Sequence, residues 1–428
     1  MSTELEIEGV GITELADRYG TPLFVYDGGE LSGRMARLRR ELHDSMEVFF
    51  SLKSNPNVSI LAVLHDNGAR AEVSSLAELR TARRAGVSPN DIIFLGPGKS
   101  QAELEACLDE DIAAIVCESF GELALIDQLA AARGVRARVA LRVNPSFAVK
   151  GSGLTMGGKP RQFGMDEEQL FAAEDLVSRH TNVQIMGVQV YMGTRILSEE
   201  SVVENTTRIF ALAEQLSARL GFGLDLVDVG GGLGVAYFDG ERDLDLDLLT
   251  SRLNPVIDEF ATRHPDTRLV MELGRYLTAM SGTYVVRVRY VKTSLGQNFA
   301  VADGGTNHHM AAVGIGSYVK RDFPMRLLNR IDEPATETWQ ITGPLCTPND
   351  VLGKKIPLPP VQPGDLIGVE RSGAYGPSAS PVLFLSHGYP AEVLVHDGQS
   401  YVISERDQPE DLLRRQHLHR LPVPAVEG

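Results

Sequence analysis

Leu224-Asp225-Leu226-Val227-Asp228-Val229-Gly230-Gly231-Gly232 reads as a short apolar strand that ends in three successive glycines. Runs of the same kind occupy residues 46–53, 70–73, 91–95, 113–117, 138–143, 183–190 and 268–272, which with 224–229 makes eight. Amphipathic stretches at 75–85, 101–108, 120–133 and 201–220 lie between them. Strands alternating with helical patterns indicate repeated βα units and a parallel sheet. Eight of them in roughly 230 residues suit an α/β fold of the (β/α)8 barrel type.

Barrel active sites lie at the C-terminal ends of the strands, where the loops converge. Lys53, Tyr191, the glycines 230–232 and Glu272 all fall at such ends. A lysine that closes an apolar strand sits where desolvation lowers its pKa and frees the amine to form an imine. Three glycines let successive backbone amides approach a phosphate without Cβ clashes, although read alone a triple glycine is a flexible turn. After about residue 280 the pattern changes to alternating strands, as in Thr283-Tyr284-Val285-Val286-Arg287-Val288-Arg289-Tyr290, with a hairpin expected at Asp397-Gly398. Pro22-Leu23-Phe24-Val25-Tyr26-Asp27 reads as one more strand. The loop 150–164 carries five glycines and is expected to be mobile.

The motifs Phe50-Ser51-Leu52-Lys53-Ser54-Asn55, Gly230-Gly231-Gly232, Glu272-Leu273-Gly274-Arg275-Tyr276, Gly343-Pro344-Leu345-Cys346-Thr347 and Gly373-Ala374-Tyr375-Gly376 together resemble the alanine-racemase-like (fold type III) pyridoxal-phosphate decarboxylases. That is the family of diaminopimelate and ornithine decarboxylases, and the resemblance covers essentially the whole chain. It implies a TIM-like cofactor barrel over 36–278. It also implies a discontinuous β domain, of β-barrel or β-sandwich type, made of 1–35 and 279–428. Lys53 would be the Schiff-base lysine, and Gly230, Gly231, Gly232, Arg275, Tyr375 and Thr194 would hold the phosphate. Glu272 would keep the pyridine nitrogen protonated as an electron sink. Cys346 would protonate Cα as a general acid, coming from the neighbouring subunit of a homodimer with shared sites. Glu72, Glu78 and Arg142 match positions near the cofactor, where they would orient Lys53 or serve as ordinary barrel ion pairs.

Departures narrow the resemblance. Leu273 replaces a usual proline, and Tyr191 stands where a histidine usually stacks on the cofactor ring; tyrosine also stacks but is no cation near neutral pH. Thr347-Pro348-Asn349-Asp350 replaces the glutamate that usually follows the cysteine. With Lys159-Pro160-Arg161-Gln162-Phe163-Gly164-Met165-Asp166 and Asp303-Gly304-Gly305, these features resemble the subgroup acting on glutamyl or 3-methylaspartyl groups tethered to an acyl carrier protein in antibiotic assembly. Arg161 and Asp350 are the substrate-side candidates. The alternatives are a decarboxylase of free diaminopimelate, lysine or ornithine, a noncatalytic cofactor-binding protein and a racemase. The second domain with Cys346 counts against the noncatalytic reading, and no motif for a tyrosine base supports the racemase.

Composition sets outer bounds. The 428 residues, 43% hydrophobic and 23% charged, suit a soluble protein of two or three domains. A formal charge of −16 opposes nonspecific nucleic-acid binding. Arginine clusters at 34–40 and 80–84 read as solvated helix faces or as docking sites for an acidic partner. No run is long enough to span a membrane and the acidic start lacks a signal core, so a cytoplasmic location is expected. The three cysteines lack ligand spacing, and His308-His309 falls on adjacent strand positions, so no metal site is indicated.

Overall fold

The computed structural model describes residues 3–147, 154–155, 158–313 and 321–421. Residues 150–153 and 156–157 of the loop expected to be mobile lie outside them. Eight parallel strands, Met46–Ser51, Arg70–Val73, Ile92–Phe94, Ala114–Cys117, Ala137–Asn144, Val183–Gln189, Leu226–Gly231 and Arg268–Leu273, pair in chain order. The eighth pairs back onto the first, with Leu273 opposite Phe50, and closes a barrel.

These strands are apolar on both faces because the barrel fills one side and helices cover the other. Phe49, Ile93, Ala114, Val116, Ala140, Leu226 and Val270 fill the interior. At the N-terminal end Arg70 and Arg268 share the carboxylates of Glu47 and Asp91, a network that caps the interior with paired charge. The helices start where serines accept hydrogen bonds from amides three residues on. Ser75 caps Leu76–Arg84, Ser100 caps Gln101–Glu110 in a capping box with Glu103, and Ser119 caps Phe120–Arg133.

The seventh strand departs from expectation in an instructive way. It begins at Leu226 rather than 224 and runs through Gly230 and Gly231. Gly231 lies opposite Glu272, and a Cβ on it would fall 1.5 Å from the Glu272 carbonyl oxygen. Two strands therefore approach at a distance that only glycine permits.

The second sheet is mixed and nine-stranded. Its centre is Leu23–Asp27, antiparallel to Gly282–Ser294 and parallel to Ala391–His396, so the beginning and the end of the chain meet in one sheet. The expected hairpin joins Ala391–His396 to Gln399–Ser404, with Asp397 at φ 50° and Gly398 at φ 71°. Among the described residues no helix is long and apolar enough to cross a membrane.

Gly187 has φ +154°, and a Cβ there would sit 1.7 Å from the Leu226 carbonyl oxygen. Gly187→Ala is expected to lower stability by more than ~2 kcal/mol in denaturant unfolding. Gly33→Ala, exposed on helix Gly28–Glu41 with nothing within 4 Å, is expected to raise it by about 0.5–1 kcal/mol.

Candidate active site

The first strand ends in a single tight turn, Leu52–Ser54, that carries Lys53 over the barrel mouth. Its Nζ lies 3.1 Å from Glu72 Oε2 at the end of the second strand, and Ser74 Oγ donates to the other Glu72 oxygen at 3.1 Å. Tyr191 places its ring centroid 5.5 Å from the same Nζ. Lys53, Tyr191, Thr194, Gly232, Glu272, Arg275 and Tyr375 line one small cavity.

The second sheet supplies part of that wall. Tyr375, at φ 55°, donates its amide to the Ser54 carbonyl at 2.7 Å, tying its turn to the turn of Lys53. Asn55 Nδ2 donates to the Gly373 carbonyl at 3.1 Å. Arg275 follows the eighth strand, with its guanidinium 4.6 Å from the Tyr375 ring centroid, and Nη1 donates to the Tyr237 hydroxyl at 3.1 Å. Its buried Nε has no partner among the described residues.

Electrostatics correct the expectation for Lys53. Burial pulls its ammonium down, but the carboxylates of Glu72 and Glu272 outweigh that effect and hold it above the ordinary lysine range. The lysine is a stabilised cation in the cofactor-free chain. Burial pushes the Tyr191 phenol up to about 12, so this ring stays neutral. Glu272 is buried and raised by burial and by Glu72. Gln189 Nε2 donates to its Oε1 at 2.8 Å, while Oε2 has no partner among the described residues.

Other candidates part company with the cavity. The Gly230 amide donates to Asp228 Oδ1 at 2.8 Å, so the three glycines do not present three free amides; Gly230 and Gly231 line a separate small cavity behind Met192 and Ile196. Asp350, expected at the substrate, is buried and accepts from Thr306 N at 2.8 Å, Thr306 Oγ1 at 3.0 Å and Leu345 N at 2.7 Å. It staples the 343–350 loop to the 304–306 turn, and its oxygens are already committed. Cys346 is exposed on that loop and does not line the cavity of its own chain.

Arg161 is exposed on the 158–164 segment and is likewise absent from the cavity lining. Arg142 pairs with Glu118 at 2.7 Å, and Gly164 N donates to Glu118 at 3.0 Å, so this pair anchors the segment. Glu78 accepts from Ser74 N at 2.7 Å. His308 and His309 are buried, and burial pulls them down to about 4 and about 3. His309 Nε2 lies 2.8 Å from Ser372 Oγ, with the Phe24, Tyr284 and Phe323 rings around the imidazole. Gln189, Asp228 and Tyr237 were not picked out from sequence; the only signal for the first two is a polar residue inside an apolar strand run.

The family described as "Pyridoxal-dependent decarboxylase, pyridoxal binding domain" matches residues 29–279. The chain is 38% identical, over 96% of its length and 97% of the relative's, to the L-glutamyl-[BtrI acyl-carrier protein] decarboxylase of Niallia circulans. It is 29% identical, over 97% of its length and 98% of the relative's, to the diaminopimelate decarboxylase of Helicobacter pylori strain J99. The crystal structure of the Helicobacter pylori diaminopimelate decarboxylase complexed with L-lysine superposes with a TM-score of 0.84 at 28% identity, covering 94% of this chain and 98% of that one.

Glu72→Gln removes the nearest carboxylate from Lys53, so the pH at which Nζ becomes reactive should fall by about one pH unit or more. The pH dependence of Lys53 labelling by an amine reagent, read by peptide mass spectrometry on cofactor-free protein, checks this.

Proposed function

The chain belongs to the pyridoxal-dependent decarboxylases, and on that premise we propose that it removes the α-carboxylate of a glutamyl or 3-methylaspartyl group carried on an acyl carrier protein. The observation that carries the carrier-bound reading is the near full-length identity of 38% to a decarboxylase named for such a substrate, against 29% for a diaminopimelate enzyme. The replacement of the usual glutamate after the cysteine by Thr347-Pro348-Asn349-Asp350 agrees with it. A tethered side chain has no distal charge to recognise, so a site dedicated to that charge has no use here.

Pyridoxal phosphate fits the donor set. Glu272 Oε2 lacks a donor and Arg275 Nε lacks an acceptor, both buried around Lys53. A group with a ring N–H and an anionic phosphate offers one of each. Lys53 Nζ would hold it covalently, Glu272 would keep the ring nitrogen protonated, and Tyr191 would lie against the ring. Arg275, Gly232, Thr194 and Tyr375 would hold the phosphate, with Gly230 and Gly231 giving strand clearance. When bound, the cofactor supplies an electron sink for the pair released as carbon dioxide leaves.

The exposed position of Cys346 outside its own chain's cavity supports a homodimer in which the partner's Cys346 delivers the proton to Cα. We place the cofactor unit at 28–278 and the second unit at 1–27 with 279–428. The first boundary moves from 35 to 27 because helix Gly28–Glu41 runs unbroken across the former. The phosphopantetheine arm would enter beside the 150–164 loop, with Arg161 at its rim.

Intact-protein mass spectrometry of carriers loaded with glutamate or 3-methylaspartate should register loss of one carbon dioxide while the free amino acids stay untouched. Turnover of free diaminopimelate with inert carriers would overturn the proposal. Lys53→Ala should abolish the visible absorbance of the bound cofactor. Mixing Lys53→Ala and Cys346→Ala subunits in equal amounts should restore about a quarter of wild-type activity, since half the dimers carry one intact site. No recovery would place both residues in one chain's site.

A further inference from the structure

Glu272 has two buried neighbours that the proposed mechanism does not use. Gln189 and Asp228 are direct partners on the sixth and seventh strands, and both are fully buried. Gln189 holds Glu272 Oε1 at 2.8 Å, and the Gly230 amide holds Asp228 Oδ1 at 2.8 Å. Three atoms in this layer have no partner among the described residues: Gln189 Oε1, Asp228 Oδ2 and Glu272 Oε2. All are acceptors, and Glu272 reaches Gln189 across the strand that carries Asp228, which brings the Asp228 and Glu272 carboxyl groups together.

Two ionised carboxylates have no proton to share and repel strongly where water is absent. One proton between them turns the clash into a hydrogen bond. The surroundings decide which group carries it. Glu272 has the Gln189 donor and the Lys53 charge to favour its ionised form, with Glu72 opposing. Asp228 has one backbone amide, with Glu272 and Glu72 both opposing its ionisation. Burial pushes the Asp228 carboxyl well above the usual carboxylate range.

We propose that Asp228 keeps a proton at neutral pH and donates it to Glu272, making Asp228 a positioning residue that holds Glu272 as a single carboxylate anion. The role toward the ring nitrogen rests on the cofactor reading above; the proton itself is a property of the cofactor-free chain. Asp228 touches Glu272 rather than the reacting atoms. Without its donor, Glu272 would take up the proton and lose the charge that a protonated ring nitrogen requires.

The test is infrared spectroscopy of cofactor-free protein at pH 8, with aspartate carboxyl groups labelled with carbon-13, followed by pyridoxal-phosphate titration. A protonated-carboxyl band that shifts on labelling and vanishes in Asp228→Asn is expected. Asp228→Asn, whose amide still offers a donor, should bind the cofactor within about threefold of wild type, and Asp228→Leu should bind it roughly tenfold or more weakly. Absence of the labelled band overturns the proposal, as does equal weakening in both variants. If Asp228→Asn does not fold, the band in the labelled wild-type protein decides alone. Presence of the band with no cofactor binding by the wild type would defeat the cofactor reading and leave the proton in place.

Discussion

The pairing of the eighth strand with the first, from Leu269 opposite Met46 to Leu273 opposite Phe50, closes the barrel and sets the geometry of everything above it. Closure brings the end of one strand, with Glu272, beside the turn after the other, with Lys53. It depends on backbone approaches that exclude side chains: Gly231 against the Glu272 carbonyl, and Gly274 with a Cβ position 2.8 Å from Ser54. The glycines that resemble a phosphate motif are therefore also spacing elements, and Gly230 spends its amide on Asp228.

Electrostatics at the mouth follow from that closure. Glu72, Asp228 and Glu272 are all buried, and Lys53 is the cation placed among them. The excess of acid raises the carboxyl groups of Asp228 and Glu272 and holds the lysine protonated, opposite to the effect of desolvation alone. The same layer explains why Gln189 donates to Glu272, since an amide satisfies an acid without adding charge.

Much of the barrel was legible because its strands are short apolar runs and its helices begin at Ser-x-x-Glu, signals that need no long-range contact. Lys53, Glu272 and Tyr375 were legible because strand ends and glycine turns mark where loops converge. The partners of Asp350 were not legible because a carboxylate in a loop does not declare them. Only the fold brings Thr306 and Leu345 to it. Gln189 and Asp228 were passed over because an isolated polar residue in an apolar strand is not a motif.

By itself the amino-acid order determined the βα repeats and the change to alternating strands near residue 280, because periodicity and turn chemistry are local. The tertiary structure alone decided which of those residues share a cavity. It set Glu72 rather than Glu78 or Arg142 beside Lys53. It committed Asp350 to a structural staple and left Cys346 outside its own chain's pocket. The charge state of this lysine and of the buried carboxyl groups beside it depends on groups brought together from distant strands, and no local pattern encodes that sum.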